Sequence, residues 1–319
     1  MKMLNQKDYE EIRVWMHRNA RALELAVWNY FFENGPKEEI VKALAFYQNE
    51  DGGFGNGVEA DCWNGESSPY ATMTVTGLLR KIGWIEEAGT GHPLVEGIFR
   101  YLESGKHSDE NGWYFVILSN DRYPRAPWMT YSEKMNEEQT MGVTAVLCAF
   151  ILRYGKQGSE LYNRAVGYSK KILNNLADTE DFGEMGAGGA SLLLVDILTG
   201  GLSGLFEPLD LGQLLEGLAA VANRSMERSP ERWAEYTPRP SEFIPSPDSP
   251  LYHGNEDIIE TELDYLVEMR NPGGVWDITW TWFDLGERYP KEFAISENWW
   301  RASKAIEKME FLRNFGRIR

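Results

Sequence analysis

Tyr47-Gln48-Asn49-Glu50-Asp51-Gly52-Gly53-Phe54-Gly55, followed by Ser68-Pro69-Tyr70-Ala71-Thr72, decides how this chain is read. An apolar helix pattern enters the stretch from Glu38 to Tyr47, and another leaves it from Tyr70 to Ile82. The residues between them end helices. Asp51 can bond its own backbone, and Gly52 and Gly53 tolerate positive φ at little steric cost. Phe54 then returns an apolar side chain under the turn. The unit is a helix, a Gly-rich turn and a second helix.

Weaker copies follow along the chain. Residues 8–34 read as helical and stop at Gly35-Pro36. The first hairpin covers 37–83. A second starts near His92-Pro93, with Leu94, Ile98, Phe99 and Leu102 as its apolar stripe. Its turn is Asp109-Glu110-Asn111-Gly112-Trp113, and its returning helix is expected over Thr140–Tyr154. A third runs from Glu160 to Leu176, turns at Asp178-Thr179-Glu180-Asp181-Phe182-Gly183 and returns over Ala190–Leu198. A fourth helix is expected over 209–226. A segment with Pro230, Pro238, Pro240, Pro245, Pro247 and Pro250 follows, as a lid, binding loop or strap. The last unit has a helix over Ile258–Met269, the turn Arg270-Asn271-Pro272-Gly273-Gly274-Val275-Trp276, and a closing helix over Glu297–Phe315. The period is irregular, roughly 40–65 residues, and helix pairs with one apolar face must stack on their neighbours. Uneven loop insertions fit a closed ring better than an open solenoid, which keeps steadier periods and capping repeats.

Composition narrows the function classes. The chain has 319 residues, 43% hydrophobic and 25% charged, which is ordinary for a globular protein. Its 12 Trp and 15 Tyr either fill a core or line a cavity. The net charge of −17 and the lack of clustered Lys and Arg argue against a nucleic-acid or anionic-membrane partner. For the same reason, no basic pocket of the kind a diphosphate needs is evident. Cys62 and Cys148 make no disulfide framework; Cys148 sits in an apolar helical run as a small hydrophobe. Met1 to Asp8 carry no apolar signal core, and no apolar run reaches the roughly 18 residues of a membrane span. The expected location is the cytoplasm.

The turn motif and its Ser-Pro-Tyr-Ala-Thr sequel resemble the internal repeat of protein prenyltransferase β-subunits, and the glutamine–tryptophan repeat of squalene and hopene cyclases. Arg270 to Trp276 resembles a second copy, with Arg where the family often has Gln. The likeness is close over about 45 residues and thinner over about 100 more, as diverged repeats would be. It implies an all-α, α/α-toroid fold over residues 1–319 as one domain, with about five or six helix pairs around an aromatic-lined cavity. In that family the turns brace the helix pairs, so they speak for fold more than for activity.

Three chemistries can be set against the residues. A zinc-dependent prenyltransferase would need Asp, Cys and His ligands. Asp61, Cys62 and His253 are the candidates, but Asp61 and Cys62 are adjacent where the family spaces its pair by one residue, and adjacent side chains diverge. A protonation-initiated cyclase would need the family's Asp-x-Asp-Asp. The nearest stretch is Asp178-Thr179-Glu180-Asp181, also readable as an ordinary turn. A carbohydrate-active toroid would pair carboxylates with Trp platforms. Glu59 and Asp61 near Trp63 are one such group; Asp277 and Asp284 with Trp276, Trp280 and Trp282 are another. The Trp276–Trp282 stripe reads as core before it reads as a cavity wall. Gly186-Ala187-Gly188-Gly189-Ala190 lacks the preceding strand of a nucleotide loop and reads as small residues for close helix packing.

The expectation is therefore a toroid binding an apolar or amphipathic small molecule, an isoprenoid for instance, with no required cofactor. A carbohydrate hydrolase or lyase and a non-catalytic protein-binding toroid are the alternatives. The candidate catalytic residues are Glu59, Asp61 and Asp277. The candidate ligand contacts are Trp63, Trp113, Trp276, Trp280 and His253.

Overall fold

The computed structural model describes residues 1–178 and 184–319. The turn expected at 178–183 lies outside the described residues, apart from the last position of the preceding helix. Helices come in the order α1 (Gln6–Asn19), α2 (Ala22–Phe32), α3 (Lys37–Ala45), α4 (Pro69–Lys81), α5 (Trp84–Ala88) and α6 (Pro93–Glu103). A two-stranded ribbon follows, β1 (Ser108–Asp109) with β2 (Gly112–Trp113). Then come α7 (Glu133–Tyr154), α8 (Glu160–Asp178), α9 (Glu184–Thr199), α10 (Leu211–Ser225), α11 (Pro240–Phe243), α12 (Glu256–Met269), α13 (Phe283–Arg288) and α14 (Pro290–Asn314). The fold is all-helical apart from that ribbon. The expected helix over 8–34 is two helices, because the chain is extended at Ala20 and Arg21. The closing helix starts at Pro290, seven residues before the expected Glu297, since proline suits the first helical turn.

The chain forms two compact units, one of Met1–Ala43 with Ala222–Arg319 and one of Leu44–Val221. In the second, Ser68 caps α4 by accepting from the Ala71 N–H, with Pro69 in the first turn. The first Gly-rich turn is braced from both sides. Asp51 accepts from the Gly53 N–H and the Ser67 hydroxyl, and the Phe54 N–H donates to Thr72 Oγ1 at 3.2 Å. Gln48 Nε2 donates to the Gly52 carbonyl within the turn and to Leu94 at the start of α6. Gly52 (φ +92°) lies against Gly97 of α6, where a Cβ would stand 2.1 Å from a carbonyl oxygen. The second turn repeats the scheme: Asp109 accepts from Asn111 and Gly112, and the Trp113 N–H donates to Thr144 Oγ1 at 2.9 Å. Gly189 at the start of α9 approaches the Gly142 carbonyl of α7, which is the close packing its small neighbours suggested.

In the first unit, α1 opens on a reciprocal Asn5–Asp8 capping box. The two chain ends meet. The Leu4 N–H donates to the Arg317 carbonyl, and the Arg319 N–H donates to Leu4. Arg317 is buried and pairs with Asp264 and Glu260. The turn at 270–276 reproduces the first turn with arginine in place of glutamine. Arg270 Nη1 donates to the Gly274 carbonyl at 3.0 Å, as Gln48 does to Gly52 at 2.9 Å. The Gly274 N–H donates to Asn271, as Gly52 does to Asn49. Arg270 also reaches Asp8 and Glu11 of α1.

Candidate functional site

Glu59, Asp61, Cys62 and Trp63 lie on the loop after the first turn. Glu59 and Asp61 are buried, and Glu59 accepts from the Asp61 backbone N–H at 3.0 Å. The loop is tied to the 120–130 segment, through Trp63 N–H to Pro124 and Ala126 N–H to Asp61. Asn64, also buried, donates to Ser119 and Asn120. The cavity beside Glu59 and Cys62 measures about 10 Å³, room for one water molecule. Burial pushes the Cys62 thiol up to about 12, with the Glu59 and Asp61 charges adding to it. Cys62 is a half-buried residue whose thiol is shielded, and a shielded thiol beside two carboxylates and a one-water cavity does not fit a zinc-activated substrate thiol. Among the described residues no three His, Cys, Asp or Glu side chains gather as a metal site. Trp113 is wholly buried, edge-on to Tyr168 at 5.1 Å, and so packs in the core of its unit.

The other candidates lie in the first unit. His253 is 93% exposed and faces Glu256. A groove of about 330 Å³ opens beside it at the start of α12. There Arg228 already donates to Asn223 and Asn255. Asp277 is largely exposed and pairs with Arg301 at 3.1 Å.

Trp276 and Trp280 enter a larger constellation that also draws on α12, α14 and the Pro-rich segment. Trp276 is buried and fixed, its Nε1 donating to the Leu266 carbonyl at 2.8 Å. The Lys308 Nζ stands 5.5 Å from the Trp276 ring centre. Trp280 meets Trp300 edge-to-face at 5.3 Å and Tyr236 at 6.0 Å. Lys304 lies over Trp300 at 5.8 Å. Trp300, Lys304 and Lys308 follow one another at four-residue spacing, so α14 presents them along one face.

The Pro-rich segment supplies a third basic side chain, Arg239. It is an ordered strap: Trp233 is fully buried, donates to Glu227 and stacks edge-on against Tyr265 of α12. Arg239 donates through Nη2 to the Trp233 carbonyl and lies over Tyr265 at 5.3 Å. Ser241 gives both its N–H and its hydroxyl to Glu262, each at 2.7 Å. Burial pushes Glu262 up to about 7, against the pull of those hydrogen bonds and of Arg239. Lys304 pairs with Glu307 at 2.7 Å and keeps 30% of its side-chain surface, although protein surrounds it on most sides. Lys308 has neither an ion-pair partner nor a hydrogen bond among the described residues.

The polar atoms left over here are donors. Arg239 Nη1, Trp280 Nε1, Trp300 Nε1 and Arg301 Nε are buried without a hydrogen-bond partner among the described residues. Buried donors are costly when unmatched, so this corner suits an incoming acceptor. The sequence showed Trp276 and Trp280. It did not show that Arg239 and Lys304, from a strap and a helix far apart in sequence, both act against charge on Lys308. The four-residue spacing of Trp300, Lys304 and Lys308 was the available signal.

Compared with family models, with curated proteins and with solved structures, the chain matches none.

Proposed function

We propose that this protein is an α/α toroid that binds a small organic anion with an apolar or aromatic body, the isoprenoid class being one such body, against the Trp276–Trp280–Trp300 surface. The observation that carries the binding reading is the set of buried donors, Arg239 Nη1, Trp280 Nε1 and Trp300 Nε1, without an acceptor beside them. Aromatic faces take the body of such a ligand, and the cations take its head. The ring is supported by the braces. Each Gly-rich turn is anchored to a neighbouring helix, Gln48 to α6 and Arg270 to α1. A ring needs its last hairpin to hand back to its first, and the pairing of Leu4 with Ile318 supports that reading.

Calorimetric titration with farnesyl diphosphate, farnesol and phenyllactate tests the reading. The two anions should bind. Farnesol should bind at least about tenfold more weakly than its diphosphate, because one charge-assisted contact is worth roughly 1.5–3 kcal/mol. Arg239→Gln should weaken both anions, and Trp280→Ala all three ligands, in proteins whose thermal melts stay cooperative. Equal binding of farnesol and its diphosphate, or wild-type affinity in both variants, overturns it.

A further inference from the structure

We propose that Lys308 is a nucleophilic amine that forms an imine with a carbonyl compound carrying an adjacent carboxylate, a 2-oxo acid with an aromatic or apolar body. The inference rests on the anion-binding reading of the same site and narrows its ligand. The geometry comes first. The Lys308 Nζ stands over a fixed, buried Trp276 ring, on the face of α14 that also carries Trp300 and Lys304. No carboxylate forms an ion pair with it among the described residues; Glu307 and Glu262 act on it only from further off. Lys304, one turn away, pairs with Glu307 and is held charged. The two lysines thus play different parts: one is a fixed cation, the other an unheld amine.

The surroundings act the same way. Burial, then the charges of Arg239 on the strap and Lys304 on α14, push the Lys308 amine down to about 7. Glu307 on α14 and Glu262 on α12 act in the opposite sense, and burial holds Glu262 itself near neutrality. Glu242 of α11 and the Tyr236 hydroxyl face Lys304, where they favour its charge. Desolvation beside other cations is how a lysine becomes a nucleophile at neutral pH. Arg239 completes the assignment. Its guanidinium is pinned on Tyr265 and by the Trp233 carbonyl, and it leaves Nη1 free to donate to a carboxylate.

The step balances without a further reactant. The neutral amine adds to the ketone carbon to give a carbinolamine. The C–O bond then breaks, the oxygen leaves as water with both amine hydrogens, and a C=N bond remains.

Phenylpyruvate with cyanoborohydride is the test. The hydride reduces the C=N bond to a secondary amine, which peptide mass spectrometry locates. At pH 7, Lys308 should be labelled at least about tenfold faster than Lys7, whose side chain is 85% exposed; its far larger neutral fraction outweighs the weaker nucleophilicity of a less basic amine. Phenyllactate, with a hydroxyl in place of the ketone, should slow this labelling. Lys308→Arg should abolish it while phenyllactate still binds. Labelling of Lys308 no faster than Lys7, with phenyllactate bound, overturns the imine and leaves the anion site standing. Neither labelling nor phenyllactate binding overturns both. Fast labelling that phenyllactate does not slow supports the nucleophile and overturns the anion reading.

Discussion

A methyl group added to Gly112 would stand 2.0 Å from the Thr144 Oγ1. The hydroxyl is held there because it accepts the Trp113 N–H at 2.9 Å, the bond that docks the second turn on α7. Both partners are buried, and Gly112 sits at φ +141°. Gly112→Ala is thus penalised by backbone conformation and by collision with a side chain that cannot leave without stranding a donor. We expect a loss of about 3 kcal/mol, read from urea midpoints at unchanged slope. Gly167→Ala is the control. That glycine is exposed inside α8 with open space at its Cβ, and alanine there should add roughly 0.5–1 kcal/mol. Equal effects at the two positions would contradict the brace.

Arg270 offers a sharper test, because it stands where the first turn has Gln48. It is nearly buried, and it satisfies the carbonyls of Asn271 and Gly274 while pairing with Asp8 and Glu11. Arg270→Ala removes all of these at once and should cost about 3–4 kcal/mol. Arg270→Gln can restore the bond to Gly274 without the link to α1. Its thermal midpoint should fall between wild type and the alanine variant. A glutamine variant no more stable than alanine would mean that the turn bond contributes nothing, and that the contacts to α1 carry the whole effect.

These two turns show what the residues disclosed in advance. Capping and turn chemistry is local, so Asp51-Gly52-Gly53 and Ser68-Pro69 announced their hairpin, and Arg270 to Trp276 announced its echo. The candidate site was less legible. Trp276 and Trp280 stood out as aromatics, but a stripe of Trp reads the same in a core and on a cavity wall. Arg239, Ser241, Glu262 and Lys308 escaped notice because their meaning depends on a strap that folds against α12. Prolines mark that strap in the sequence without saying where it lies. The acidic total charge hid the local cations for the same reason: −17 is a sum, and a site depends on neighbours.

Glu262 should leave a mark on the pH dependence of stability. Its carboxyl is wholly buried and is pushed from its ordinary 4.5 up to about 7. The folded protein therefore holds this proton more tightly than the unfolded chain does. The stabilising contribution is full below about 4.5 and is lost as pH rises through about 7. Glu262→Gln keeps an acceptor for Ser241 and cannot ionise. The difference in unfolding free energy between variant and wild type should therefore shift in favour of glutamine by roughly 3 kcal/mol from pH 4.5 to 8. A difference that stays flat over that window would show that Glu262 is not perturbed by burial.

Cys62 bears on which chemistry the second unit can support. Burial raises its thiol to about 12, and the Glu59 and Asp61 charges oppose ionisation further. The thiolate is the form that reacts and the form that binds metal. In the native protein at pH 8, iodoacetamide should therefore alkylate Cys62 at least about a hundredfold more slowly than free cysteine, whose pKa lies near 8.5. Cys148, buried and raised to about 12 as well, should be equally inert. Both should react at the ordinary rate once the chain is unfolded in urea. Zinc should leave the thermal midpoint unchanged in wild type and in Cys62→Ser alike. Fast alkylation of native Cys62, with a zinc-induced rise in midpoint that serine abolishes, would instead make the loop beside Glu59 a thiolate site. It would move the search for activity from the Trp276 surface to that loop.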